Sequence, residues 1–144
     1  MAFRFNPTTS QLDWVNPQAG VSLVATKLQI QRIATVNIFA GDALKADSAT
    51  HVSPATNDVT ALDATVIGFA YADTAQGDVV DIVLFGVLSD TSFSVFDVNA
   101  LLFLDIDGAI TDVRPTSNVF LTEVGSSLGS GDIFITIKKP IHLA

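Results

Sequence analysis

The reading of the fold turns on residues 99–143, NALLFLDIDGAITDVRPTSNVFLTEVGSSLGSGDIFITIKKPIHL. It reads as two consecutive hairpins. Leu101 and Phe103 precede Asp107-Gly108, and Ile110 follows it. Both residues of an Asp-Gly pair tolerate positive φ, which favours a tight hairpin turn. Residues 119–124 then run into a Gly/Ser/Asp-rich stretch, 125–132, which reads as a loop. Ile133, Ile135 and Ile137 alternate with Phe134 and Thr136. That is the period of a β-strand, written in β-branched and aromatic residues. Pro140 supplies no ladder donor and predicts the end of this run.

An earlier stretch follows the same plan. Gly41-Asp42-Ala43-Leu44 aligns with Asn99-Ala100-Leu101-Leu102, Ile67-Gly68 with Val124-Gly125, and Gly77-Asp78-Val79-Val80 with Gly131-Asp132-Ile133-Phe134. The offsets drift from 58 (Leu44 to Leu102) through 57 (Gly68 to Gly125) to 54 (Gly77 to Gly131), as loops of unequal length would make them. This predicts a diverged duplication, residues 39–88 and 96–143. Chance likeness between hairpins is the competing explanation. Two copies are too few for a solenoid, which needs about three. Two β-units packed into one barrel or sandwich fit better.

With 144 residues, the chain is expected to form one domain, residues 21–144, preceded by an extended arm, residues 1–20. Apolar residues make up 49%, enough for a core. No uninterrupted apolar run reaches the length of a membrane span, and the N-terminus lacks the apolar core of a secretory signal, so no membrane partner is expected. There is no cysteine, which excludes disulfides, thiolate metal sites and cysteine nucleophiles.

The net charge of −8 argues against nucleic acid as a partner. Its distribution is uneven. Between Ile33 and Ile137 the cations are Lys45 and Arg114 against fourteen acids, a balance of −12. Arg4, Lys27 and Arg32 precede that window, and Lys138 and Lys139 follow it. One explanation is a soluble, self-repelling surface. The other is that the basic ends contact an acidic neighbour, a second copy included. Fourteen of the fifteen acids are Asp, which favours caps and turns over helix interiors.

In the arm, Pro7, Pro17 and Gly20 rule out a continuous helix. Yet it carries Phe3, Phe5, Leu12 and the single Trp14, and disordered tails are poor in aromatics. Phe3, Arg4, Phe5, Leu12 and Trp14 are therefore the candidate partner contacts, the alternative being an arm folded back on its own domain. Beyond it, residues 23–38 read as one or two strands, and 58–64 as a helical turn capped by Asn57 or Asp58. Residues 66–71 read as a strand, and 79–88 as an apolar strand broken at Asp81 and Gly86. The fold class expected is all-β: a small barrel or sandwich of about eight to ten short antiparallel strands.

Motifs with chemical meaning are weak. Gly125-Ser126-Ser127-Leu128-Gly129 has the spacing of a nucleophile elbow, but a β-strand follows instead of the helix that strains the serine. Asp105-x-Asp107-Gly108 with Asp112 outlines a calcium loop, but the twelfth position is Thr116 where a bidentate Glu is needed. His51 and His142 are isolated. No zincin, phosphate-loop or dinucleotide motif is present. The expectation is no enzyme, no cofactor and no metal.

Gly41-Asp42-Ala43, Val66-Ile67-Gly68-Phe69-Ala70, Gly77-Asp78-Val79-Val80 and Gly86-Val87 together resemble small β-rich virion proteins of tailed bacteriophages, capsid decoration (cement) proteins in particular. The segment from Leu101 to Ile137 is similar to C-terminal segments of phage fibre and head-appendage proteins. The arm, with Phe3-Arg4-Phe5-Asn6-Pro7-Thr8-Thr9 and Leu12-Asp13, resembles the short leader of phage appendage proteins. The resemblance implies a non-enzymatic virion component, often a homotrimer, whose partner is the major capsid protein or another virion protein. The location expected from it is the capsid surface, with neck or tail as alternatives, and it carries over no catalytic residues. A fibre, collar or tail-adaptor part is the second expectation. A soluble carbohydrate- or ligand-binding β-domain is the third, although one Trp and one Tyr make a poor sugar platform.

Overall fold

The structure, a computed structural model, describes residues 2–6, 11–15, 27–116 and 119–143. It is almost entirely β. The strands are β1 (Ala2–Asn6), β2 (Gln11–Val15), β3 (Lys27–Ala34), β4 (Ala43–Ala46), β5 (His51–Pro54), β6 (Gly68–Ala70) and β7 (Val79–Ser89). After a 3-10 turn at Thr91–Val95 come β8 (Leu101–Leu104), β9 (Ile110–Thr111), β10 (Phe120–Leu121), β11 (Glu123–Gly129), β12 (Asp132–Ile135) and β13 (Ile141–His142).

Nine strands form one sheet in the order β3-β5-β4-β6-β7-β12-β11-β8-β9, and β3 also pairs with β7. The first five thus close on themselves into a ring. One pair in it, β3 with β5, is parallel (Ile33 opposite His51), and the rest are antiparallel. The remaining four extend from the far end of β7, where Gly86 to Ser89 pair with β12. Because β7 serves both parts it is eleven residues long. Asp81 and Gly86 do not break it as expected: Asp81 pairs with Gln31 across the ladder, and Gly86, at φ 110, pairs on both sides.

Period-two alternation explains two cores. Leu44, Ala70 and Ile82 point into the ring with Ala34, Val52 and Val80. Their immediate neighbours Ala43, Phe69 and Val83 point the other way, onto Leu102, Leu104, Val124, Ile133 and Ile135. The strands β4, β6 and β7 are therefore a shared wall, apolar on both faces, and β6 is buried along its whole length. Ile133 and Ile135 are fully buried while Phe134 between them is not, as the alternation predicts.

Asp107 and Gly108 have φ of 51° and 81°, and Ala109 N–H donates to Ile106 C=O at 3.0 Å, the expected two-residue turn. The stretch 125–132 is different. Most of it is strand β11, and the turn is only Ser130-Gly131, both with positive φ. Pairing with β12 on one side and β8 on the other outweighs the low strand preference of Gly and Ser. The helical turn forms at residues 61–64, capped by Thr60, whose Oγ1 accepts from Asp63 N–H at 3.1 Å. Residues 23–26 of the expected first strand lie outside the described residues. β12 ends at Ile135, short of Pro140, although Thr136 N–H still donates to Val124 C=O at 3.0 Å.

The two halves pair alike. β4 pairs with β5 and β6, and β6 with β7; β8 pairs with β9 and β11, and β11 with β12. Leu44 lies opposite Gly68, and Leu102 opposite Gly125.

Candidate functional site

The arm candidates fall on a hairpin of their own. β1 and β2 form a separate two-stranded antiparallel sheet. Its register sets Phe3 opposite Trp14, Arg4 opposite Asp13 and Phe5 opposite Leu12. Directly opposed residues share a face, as do residues two apart on a strand. By register, Phe3, Phe5, Leu12 and Trp14 belong to one face. Arg4 belongs to the other, with Asp13, Asn6 and Gln11. Four of the five candidates are thus brought together and the fifth is not. The signal was present in the sequence: F-R-F-N and Q-L-D-W-V each alternate, on either side of Pro7-Thr8-Thr9-Ser10.

The other motifs resolve into local structure. The Ser127 hydroxyl is buried; it accepts from Gly129 N–H at 3.1 Å and donates to the Phe96 carbonyl at 3.4 Å. It staples the bulge in β11. Asp107 sits at an exposed turn tip. His51 Nδ1 lies 2.7 Å from Thr50 Oγ1, and the His142 ring lies 5.0 Å from that of Phe120 on the small β10–β13 sheet. Among the described residues no three acidic or imidazole groups converge as a metal site would require.

Two features of the body were not anticipated. Lys45 Nζ lies 2.5 Å from Asp63 and 3.6 Å from Asp47, so the hydrogen bond to Asp63 raises its pKa and in turn holds the Asp63 carboxyl below its ordinary value. This ties the turn at residues 61–64 to β4. Asp42 moves the opposite way. Burial pushes its pKa up, Asp73 and Asp90 add to the rise, and the hydrogen bond from Phe39 N–H opposes it.

The second feature is a cleft of about 530 Å³ beside the seam of the two halves. β6 leaves β7 after pairing with Ile82 and Val83, and β12 joins it from Gly86. Leu84 and Phe85 lie between, and Thr65, Ile137, Lys138 and Lys139 flank them. Lys138 is bound to Glu123 at 2.7 Å, and Phe85 meets Phe134 edge-on with ring centres 5.3 Å apart.

The fold defines an all-β protein in which β1 and β2 form a sheet separate from the nine-stranded one. No protein-family model matches the chain, and no curated protein matches it. Among solved structures it is similar to the head fiber gp8.5 N base of bacteriophage phi29, with a TM-score of 0.48 and 16% identity over 78% of this chain and 95% of that one.

Proposed function

We propose that this chain is a non-enzymatic structural protein of a phage virion, and that it works as a capsid decoration protein binding the major capsid lattice. The observation that carries the reading is the leader's register. It assigns Phe3, Phe5, Leu12 and Trp14 to one face of a two-stranded sheet, which would serve as an apolar handle on an acidic chain. Aromatic residues gathered this way are what anchors a protein interface. The likeness of the leader, body and tail residues to phage virion proteins supports the same reading.

The mechanism is adhesion. The handle seats on the coat lattice or adds its strands to an exposed sheet edge. The body, as a homo-oligomer, bridges coat-subunit boundaries. Several handles acting together turn weak contacts into lasting attachment.

Coat shells purified without the chain test this. The protein is expected to bind them and raise their resistance to heat, and Phe5→Asp with Trp14→Asp is expected to abolish both. Shells that neither bind it nor gain heat resistance would overturn the reading. Copy number then separates roles: hundreds per particle mean decoration, and three to a few dozen mean a fibre, collar or tail adaptor.

A further inference from the structure

Leu62 is the most exposed large apolar side chain among the described residues, 82% accessible. Its turn is nonetheless tightly held. Thr60 Oγ1 donates to Asp63 at 2.6 Å, Thr65 Oγ1 donates to the Ala61 carbonyl at 2.7 Å, and Lys45 grips Asp63. From below, buried Thr122 donates its hydroxyl to the Ala64 carbonyl at 2.7 Å. Val59 is exposed on the same segment, and Asp58 precedes it. An apolar knob fixed in place loses little freedom when it is bound, and that favours contact.

Three residues after Leu62, Thr65 forms the lip of the seam cleft. The cleft offers Leu84, Phe85 and Ile137 to an apolar side chain, with Lys138 and Lys139 also on its lining. Knob and socket are thus neighbours on the chain, and their charges are opposite: Asp58 at the knob and Lys139 at the socket, Lys138 being held by Glu123. A surface carrying both is self-complementary about a two-fold axis, and each contact is then made twice. In a chain of net charge −8 it also sets Lys139 of one copy against Asp58 of the other.

We infer that the cleft is occupied by a second copy of this chain, with Leu62 and Val59 of each copy on the Leu84–Phe85–Ile137 surface of the other and Asp58 facing Lys139. This contact is independent of the proposed attachment to a coat lattice, and its test needs no shell.

The chain has no cysteine, so introduced ones report cleanly. Full-length Asp58→Cys, mass-labelled, is mixed with unlabelled Lys139→Cys under mild oxidation. A mixed disulfide between the two is expected, and Thr111→Cys in place of Lys139→Cys should give none. In parallel, sedimentation of the wild type should show concentration-dependent pairing. Leu62→Asp should weaken it at least about tenfold. Asp58→Lys and Lys139→Glu should each weaken it, and the two combined should restore it, an outcome that a folding defect does not produce. No mixed disulfide, or pairing unchanged by Leu62→Asp, would overturn the inference. Unchanged pairing with weakened shell binding would assign the cleft to a coat partner instead.

Discussion

Gly125 and Gly68 show how much a single missing methyl group decides. A Cβ on Gly125 would lie 2.1 Å from the Phe134 carbonyl oxygen, and one on Gly68 would lie 2.6 Å from that of Val83. In each case the next strand's backbone, which cannot swing aside, occupies the space. Gly77 is the contrast: its φ is +89°, but nothing lies within 4 Å of a Cβ there. Gly77→Ala is therefore expected to cost only the left-handed backbone penalty, about 1–2 kcal/mol. Gly125→Ala adds a backbone collision and should cost on the order of 3 kcal/mol or more. Urea unfolding of both variants checks the order; equal losses would refute the close packing of β11 on β12. Asp42 gives a pH prediction. Its folded pKa is raised above the ordinary 3.8, so its charge opposes folding at neutral pH. As pH falls through the folded pKa towards 3.8, the protein gains the stability that neutralising Asp42 releases. Asp63 has a depressed pKa and does the reverse at lower pH, where protonation weakens its hold on Lys45. Asp42→Asn keeps an oxygen to accept the Phe39 N–H bond. It should be more stable than wild type at pH 7 and lose that advantage near pH 4, as thermal unfolding across pH would show.

At the scale of elements, the shared wall of β4, β6 and β7 is where packing matters most. Phe69 is fully buried in one core, while its neighbour Ala70 is fully buried in the other. Phe69→Ala should cost about 3–5 kcal/mol and lower the unfolding midpoint of the whole body, because both halves lean on that strand. Ile141→Ala, on an exposed edge strand, should change stability by less than about 0.5 kcal/mol in the same assay. The alternation that marks β12 and the Asp107-Gly108 turn were legible in the sequence because both are written in adjacent residues. The parallel pairing of β3 with β5 and the closure of β3 on β7 were not, because they join segments far apart in the chain and no local pattern encodes the partner. Residues 125–129 were misread as a loop for a related reason: their composition favours turns, but flanking strands on both sides impose extension. The matched opposition of Leu44 with Gly68 and Leu102 with Gly125 supports, as a proposal, the duplication read from the offsets.

Across the whole molecule, stability and the proposed adhesion are assigned to different parts of the chain. Among the described residues, the buried members of both apolar cores lie between 34 and 135, and the hydrogen bonds that knit the halves together lie in the body as well. The Asn57 amide donates to the Leu104 carbonyl at 3.0 Å, Gly108 N–H to the Ala55 carbonyl, and Ala43 N–H to the Gly108 carbonyl at 2.8 Å. β1 and β2 pair only with one another in the sheet order, so removing them breaks no ladder of the main sheet. Deleting residues 1–20 should therefore leave the unfolding midpoint of the body nearly unchanged, within about 0.5 kcal/mol by urea titration. If the leader is the handle, the same deletion should abolish binding to coat shells. A deletion that unfolds the body would mean that the leader packs into the protein's own structure. One that leaves both stability and shell binding intact would move the adhesive surface onto the body, where the exposed Leu28, Phe85 and Leu101 would be the next residues to change. Salt adds an independent reading. Apolar adhesion through Phe3, Phe5, Leu12 and Trp14 should survive 0.5 M salt, because screening at that strength weakens exposed charge pairs but not buried apolar contact. Binding that vanishes with salt would instead assign the attachment to the basic residues at the two ends of the chain.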